Sequence, residues 1–424
     1  MVNWLYLASS LLVILIIFRK KNPVDARAIF GVSTLIYGLP LYFGYTEYRH
    51  PTIYGIEYFS TPISWQVYVI FFVCQLMFIA ISFIPIPAPS RPQIRPADTF
   101  WYALIISLLL SLSLLHLTVG LDTLMQAPDK VAMMEMLNGW FVISGCLAIS
   151  SLIYFVFYGR KQLAWMLVVP LAFLGFELAI GFKVNTFLGV ISLVAAYYSK
   201  GTLRITFANR VVLGVLGGIT YLLSIILKQI YFAIKGDYVD SYVETFGDFV
   251  YRGISNNEPF GQIGLLHDVI QANIVLPDFY SVYSVLQYIP FSASIFGIEP
   301  VNFNMYAQGQ LYLNVIGGVG SSCFGELYTI GGFPLIIVFL IFLGWLLCLR
   351  PPAHPYIRIL YFYLLPYVTF ISFAMTGSFP IGIGKYFFIA TLFVVPVYIV
   401  IRTMKTVLHT SPLATNHLAN QEQA

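Results

Sequence analysis

The chain has 424 residues, of which 59% are hydrophobic and only 9% are charged. Soluble domains carry about 25% charged residues, so this composition excludes a soluble protein and indicates one that crosses a membrane repeatedly. The net charge of +4 identifies no partner, and the four scattered cysteines form no pattern typical of a metal site. The first apolar run precedes its basic residues, the reverse of a signal peptide, so it is predicted to remain as a membrane span.

The apolar segments predict an all-α polytopic membrane protein with about 11 transmembrane helices, because a span needs roughly 20 residues at about 1.5 Å each. They are residues 3–18, 28–45, 63–85, 99–119, 138–158, 163–180, 183–199, 211–233, 326–349, 359–376 and 386–402. A single helix over residues 163–199 would measure roughly 55 Å, nearly twice the hydrocarbon thickness. Two crossings joined by a tight turn are therefore predicted there.

The loop charges predict the orientation. Most of the 22 Lys and Arg residues fall in loops on one side if the N-terminus lies outside and the C-terminus inside, and the acidic residues fall mostly on the other side. The outward-facing basic residues are then Arg49, Lys130, Lys183, Lys228, Lys235, Arg252 and Lys385. The chain is predicted to form one transmembrane domain over 1–424, with a cytoplasmic tail at 403–424.

Residues 234–325 form a long outer loop between the eighth and ninth spans, and this loop is rich in Tyr and Phe. Asn256 or Asn257 can cap a helix that runs to about Ala272, and Asp278 or Ser281 can start another. Short amphipathic helices are expected. Two interpretations are open: the loop rests on the membrane surface, where aromatic rings are favoured, or it is a packed cap over the bundle.

Several outer residues are candidates for binding an anion. Lys183 follows Gly181 at the predicted turn, with Glu177 inside the preceding span, and ionisable residues in a membrane are functional candidates. Simple snorkelling of Lys183 to water, or a pair with Glu177, is the alternative. Lys228, Tyr231 and Lys235 share one helical face, where they could equally serve as interfacial anchors.

Arginine suits phosphate recognition, and Arg252 lies in the long loop, although a surface pair with Asp248 would also explain it. Lys385 faces the same outer side at the far end of the bundle.

Acid–base candidates lie in the loop and at the start of the ninth span. His267 and Asp268 share a predicted helix, where a histidine is more often a packing residue than a base. Glu326 and Tyr328 lie in a glycine-rich entry to the ninth span, which small residues could also explain by close helix packing. No paired-carboxylate motif, phosphate-binding loop or internal repeat is present, and the lack of a repeat disfavours a transporter.

Three segments resemble the Wzy-type O-antigen (oligosaccharide repeat-unit) polymerases of bacterial inner membranes. They are GFKVNTFLGVISLVAAYY, FVYRGISNNEPFGQI and GVGSSCFGELYTIGGFPLIIVFLIFLGW. Lys183 stands where that family more often has arginine. The resemblance implies a GT-C-like membrane glycosyltransferase with a large periplasmic loop, a site facing the periplasm and a Wzz-type chain-length regulator as a possible partner. It implies no nucleic acid, no cofactor and no metal.

The implied reaction moves a growing glycan from undecaprenyl pyrophosphate onto a new undecaprenyl-pyrophosphate-linked repeat unit. Fixed cations can stabilise the leaving pyrophosphate, and Lys183, Lys228, Lys235, Arg252 and Lys385 are the candidates. The acceptor hydroxyl needs a base, for which the candidates are His267, Asp268, Glu258 and Glu326. The alternatives are an O-antigen ligase, which transfers glycan to lipid A–core, and a lipid-linked oligosaccharide flippase.

Overall fold

The computed structural model describes most of the predicted spans and part of the long loop. The described residues are 2–19, 25–52, 55–85, 98–126, 136, 139–179, 184–199, 206, 258–286, 295, 297, 303–311, 322–373 and 381–410. The predicted span 211–233 lies outside them.

Helices occupy the predicted spans that fall within the described residues. In the first half of the chain they are α1 (Val2–Arg19), α2 (Ala26–Tyr37), α3 (Leu39–Phe43), α4 (Trp65–Ser82), α5 (Asp98–Thr118), α6 (Leu121–Gln126) and α7 (Gly139–Tyr158). A 3-10 helix (Lys161–Leu167) leads into α8 (Val168–Ala179), and α9 (Val184–Ser199) follows. The later helices are α10 (Glu258–Ala272), α11 (Tyr280–Leu286), α12 (Phe303–Leu311), α13 (Cys323–Leu347), α14 (Pro355–Ile371) and α15 (Ile381–Thr410).

Among the described residues, 4 helices are long and apolar enough to cross a membrane, namely α4, α5, α7 and α13. Shorter apolar helices occur within α1, α2, α9, α14 and α15. This length and composition agree with a membrane protein. The α15 helix continues beyond the predicted end of its span, to Thr410.

The predicted pair of helices at residues 163–199 is present as α8 and α9. Thr186 Oγ1 at the start of α9 donates to the carbonyl oxygen of Leu174 in α8 at 3.1 Å. In one continuous helix these residues would lie roughly 18 Å apart along the axis, at about 1.5 Å per residue. The chain therefore turns back on itself between the two helices, and the connecting residues 180–183 lie outside the described part.

A two-stranded antiparallel hairpin follows α3, between the second and third predicted spans. Strand β1 (Tyr45–Thr52) pairs with β2 (Gly55–Pro62), with Tyr45 opposite Pro62. The predicted span 28–45 ends before this hairpin because Gly38 interrupts the helix and Gly44 adopts a left-handed conformation with φ 81°. A Cβ atom on Gly38 would lie 2.0 Å from Tyr6 Oη, so only glycine fits there.

The chain divides into two compact units. The first comprises residues 1–88, 198–350 and 364–382, and the second comprises residues 89–197, 351–363 and 383–424. The helices of the long loop thus fall in the same unit as α1 to α4 and α13. An aromatic core of Phe30, Phe71, Phe324 and Phe373 lies inside the first unit.

In the second unit, α5 packs against α7, and α7 against α8. Trp101 stacks on Tyr154 at 5.7 Å between ring centroids, and the Ser111 and Ser144 hydroxyls share a hydrogen bond of 2.8 Å. These contacts combine apolar packing with a few internal polar pairs, as expected for helices that must satisfy their polar groups without water.

Candidate functional site

The glycine-rich entry to the predicted ninth span is a broken helix. The helical path of α13 is interrupted at Gly331 and Gly332, and Gly332 has φ 62° and ψ −157°, a combination that residues with a side chain rarely adopt. Pro334, just beyond, has no backbone N–H to continue the hydrogen-bond ladder. The short first segment, residues 323–330, therefore has its own direction. Broken helices in membrane proteins free backbone groups that commonly face ligands.

This first segment of α13 has two different faces. On one side, the buried Phe324 ring packs against Phe373 at 5.2 Å and against Phe71 at 6.4 Å between centroids. Glu326 and Ile330 lie together on another side, one helical turn apart. The aromatic contacts of Phe324 thus fix the segment and determine the direction in which Glu326 points.

Glu326 is a buried acid with a defined partner. Glu326 is 3% exposed, and the Tyr280 hydroxyl donates a hydrogen bond to its Oε1 at 2.6 Å. Tyr280 is itself buried, and the Tyr306 ring meets it edge-on at 5.6 Å between centroids. The tyrosine that binds the carboxyl is therefore itself held by an aromatic contact. A short hydrogen bond to a carboxylate is among the stronger ones in proteins.

Tyr280 belongs to a group of packed helices that we call the cap, consisting of α10, α11 and α12. Their shared core contains Leu265, Val269, Ile274, Tyr280, Phe303 and Ala307, and Ile330 of α13 packs against it. The Gln310 side chain joins α12 to the end of α10, since its Oε1 accepts from Val275 N–H at 3.0 Å and its Nε2 donates to Val275 O at 2.7 Å.

The predicted helix that ends near Ala272 is α10, and the second predicted helix is α11. The α10 helix contacts β1, α2, α3, α4 and α13 as well as α12. The cap is therefore packed on its inner side, as one of the two interpretations requires. Its outer side still exposes Val275, Phe279 and Val282, so contact of that side with a membrane surface stays a prediction.

His267 of α10 is held by the start of α4. The backbone N–H of Ser64 donates to His267 Nδ1 at 3.1 Å. The Nδ1 lone pair is occupied by this bond, so in the neutral ring the proton lies on Nε2. In this state His267 offers a donor rather than a base. Asp268 is partly buried beside it and has interactions of its own. Glu258 is the first residue of α10.

Tyr328 lies next to the break in α13. Its ring meets the Phe333 ring edge-on at 5.5 Å, and Phe333 stacks on Trp65 at 6.2 Å between centroids. Trp65 is 59% exposed at the start of α4. The rings on both sides of the break thus connect α13 to the start of α4. This contact lies next in sequence to Ser64, which binds His267.

Most of the residues that are predicted to bind an anion lie outside the described part of the structure. This applies to Lys183, Lys228, Tyr231, Lys235 and Arg252. Lys385 belongs to α15, but its side chain is outside the described part of the structure. Glu177 is fully buried in the second unit, where Thr186 Oγ1 lies 3.4 Å from its Oε2. The predicted anion site thus stays a prediction from the sequence.

The structure pairs Glu326 with Tyr280, and Tyr280 with Tyr306; neither tyrosine is among the residues predicted from the sequence. A buried carboxyl needs a donor, and the aromatic loop offered many hydroxyls, but no pattern in the sequence distinguishes Tyr280 among them. Among the described residues, no group of three or more His, Cys, Asp or Glu side chains could hold a metal ion.

No protein-family model matches the chain, and neither a curated protein nor a solved structure is significantly similar to it.

Proposed function

We propose that this protein is an O-antigen polymerase: a glycosyltransferase that joins undecaprenyl-pyrophosphate-linked repeat units at the periplasmic face of a bacterial inner membrane. The observation that carries most weight is the buried Glu326, which sits at a broken apolar helix and is bonded to Tyr280 of the cap at 2.6 Å. An acid at the junction of a membrane helix and an extramembrane cap suits a substrate whose lipid is in the membrane and whose sugars are outside.

The proposed chemistry needs a base and a stabiliser for the leaving group. A hydroxyl oxygen of the acceptor sugar bonds to the anomeric carbon of the donor glycan, and the bond from that carbon to the pyrophosphate oxygen breaks. The hydroxyl proton passes to the Glu326 carboxylate. Undecaprenyl pyrophosphate leaves with the electron pair of the broken bond.

The outward-facing cations are proposed to stabilise the negative charge that develops on the pyrophosphate. Lys183 is the leading candidate because the segment around it resembles the corresponding turn of the polymerase family. Lys228, Lys235, Arg252 and Lys385 are further candidates, with Tyr231 and Tyr328 as neutral contacts to the substrate. Preorganised positive groups act on such a charge most effectively where water is excluded.

Glu326 is preferred to the other proposed bases for a geometric reason. His267 Nδ1 already accepts a hydrogen bond from Ser64 N–H, which leaves the ring as a donor. The Glu326 carboxyl has a second oxygen besides the one that accepts from Tyr280. Asp268 and Glu258 stay as secondary candidates on α10.

Deleting the gene and resolving the lipopolysaccharide on a gel tests the proposal. A polymerase deletion is expected to keep the band with a single repeat unit and to lose the ladder of longer chains. Loss of every band that carries repeat units would instead identify a ligase, which attaches the glycan to lipid A–core, or a flippase, which delivers it. Restoring the gene on a plasmid provides the control.

A further inference from the structure

The bond between Tyr280 and Glu326 joins the cap to the broken helix at the proposed reaction site. We propose that Tyr280 is a positioning residue, which holds the Glu326 carboxyl in the orientation in which it receives the proton of the acceptor hydroxyl. This inference rests on the proposed function and adds to it a residue outside the three resembling segments. It also gives the cap a part in the reaction beyond covering the bundle.

The geometry of the Tyr280–Glu326 bond suits a role in orienting the carboxyl. The hydrogen bond connects residues 46 positions apart in the chain, at 2.6 Å, and both side chains are nearly inaccessible to solvent. A glutamate side chain has several rotatable bonds, and an unrestrained carboxyl would sample many orientations. A fixed donor on Oε1 selects one of them and leaves Oε2 in a constant direction.

Tyr280 can act as a fixed donor because its own ring is held in place. It lies in the cap core with Leu265 and Val269, and the Tyr306 ring meets its ring edge-on at 5.6 Å. Aromatic pairs in this edge-on geometry add stability beyond their buried area. The phenol oxygen is thereby presented at a defined point above α13.

Glu326 is also restrained from the helix side. Phe324, two residues earlier, is fully buried and packs against Phe373 and Phe71. The backbone of the first segment of α13 is therefore held by the bundle, while the end of the Glu326 side chain is held by the cap. Displacement of either partner by about 1 Å is enough to lower the rate of a proton transfer greatly.

A purely structural bond would make different predictions from a positioning bond. If Tyr280 only docked the cap, its loss would lower the amount of folded protein or weaken substrate binding, which raises KM. If it orients the base, its loss lowers kcat and leaves KM nearly unchanged, because the interaction matters in the transition state.

The test uses the full-length protein, purified and reconstituted in liposomes. The probe is the set of undecaprenyl-pyrophosphate-linked repeat units extracted from the deletion strain. Tyr280→Phe removes only the hydroxyl and is expected to lower kcat about tenfold or more with KM within about twofold of wild type. Tyr283→Phe is the matched control, since Tyr283 lies on the same helix and packs against Phe279 at 4.9 Å; it is expected to behave as wild type.

A second pair of variants tests whether Tyr280 acts through Glu326. Glu326→Asp shortens the side chain by one methylene, so its carboxyl no longer meets the Tyr280 hydroxyl in the same way. In this background the Tyr280→Phe change is expected to lower kcat by less than about threefold, because interacting residues are not additive.

Two results would overturn the inference while leaving the proposed function intact. One is a Tyr280→Phe enzyme with the kcat of wild type or with a raised KM alone. The other is an equal loss of kcat in both backgrounds. If the wild-type protein joins no repeat units at all, the proposed function fails, and the role of Tyr280 fails with it.

Discussion

At the scale of single residues, the partners of a buried charged group indicate whether its role is structural. Arg27 and Arg160 both pair with an aspartate at 3.0 Å, but the Arg27 pair is largely buried and the Arg160 pair is partly exposed. Arg27 Nη1 also donates to the carbonyl oxygens of Ile81 and Ile84 at the end of α4, both at 2.7 Å. The guanidinium of Arg27 thus binds one carboxylate and two carbonyl oxygens, which is a structural role. For Glu326, by contrast, the structure gives one hydrogen bond, from Tyr280, at a break in the helix.

Replacement of Glu326 by Gln is expected to abolish the ladder of long chains. Glutamine has the same shape and can still accept from Tyr280, but it cannot take a proton as a base. The lipopolysaccharide of the complemented deletion strain is resolved on a gel, and the amount of protein in the membrane is measured by immunoblot. Asp122→Asn, which neutralises an exposed acid of α6, is the control and should keep the ladder. A normal ladder with Glu326→Gln would remove this residue from the reaction.

The proposed role of Lys183 is tested with one substitution that removes its charge and one that keeps the charge but changes the shape of the side chain. Lys183→Ala is expected to lose the ladder, and Lys183→Arg to keep most of it, because arginine retains the charge and suits a pyrophosphate. The same gel and immunoblot serve as the measurement. If Lys183→Ala shows a normal ladder, this lysine only reaches toward water at the membrane boundary.

Arg27→Met is expected to lower the free energy of unfolding by about 3 kcal/mol, because it removes the ion pair with Asp25 and the hydrogen bonds that a largely buried guanidinium donates to two carbonyl oxygens. Arg160→Met removes an ion pair of equal length at the surface and is expected to change the free energy of unfolding by less than about 1 kcal/mol. Denaturant unfolding of the protein in detergent measures both. Similar values for the two variants would contradict the structural role assigned to Arg27.

At the scale of elements, the sequence predicted the helices well and the interruptions less well. The length of the apolar segments predicted α1, α4, α5 and α7. The segment 163–199 is too long for one span, and this predicted the α8–α9 pair. Both predictions need only the local composition of the chain. The hairpin at β1 and β2 and the break in α13 depend on backbone conformations at single glycines. The glycines were visible in the sequence, but tertiary packing decides which of them bends the chain.

The break in α13 gives a test of its own. Gly332→Ala is expected to lower the free energy of unfolding by roughly 1–3 kcal/mol, because alanine is strained at φ 62° and ψ −157°. Gly175→Ala is the control: Gly175 lies within α8, nothing lies within 4 Å of an added Cβ, and alanine favours the helix. Denaturant unfolding in detergent again provides the measurement. An unaffected Gly332→Ala protein would mean that α13 can straighten without strain.

At the scale of the whole molecule, some properties follow from the sequence as a whole and others from a single pair of side chains. Composition established a membrane protein and the loop charges predicted which side faces out, because both are properties summed over many residues. The pairing of Tyr280 with Glu326 could not be predicted in this way. It joins residues 46 positions apart, and it depends on how the cap folds onto α13.

The cap and the broken helix belong to the same compact unit, so the predicted outer loop and the predicted ninth span pack together. The packing of Ile330 against the cap core and of Phe324 against the aromatic core places α13 between these two layers. The proposed substrate, with a lipid tail and a sugar head group, would meet both environments at this junction. A polymerase would use this arrangement together with the cations that are predicted to face outward.

The most direct test is polymerisation by the purified protein in liposomes that contain only the undecaprenyl-pyrophosphate-linked repeat units from the deletion strain. A polymerase should produce a ladder of lipid-linked glycans that grows with time, with one undecaprenyl pyrophosphate released for each new linkage. Liposomes with the Glu326→Gln protein should show neither. If the wild-type protein leaves the repeat units unjoined but transfers them to added lipid A–core, the protein is a ligase and not a polymerase.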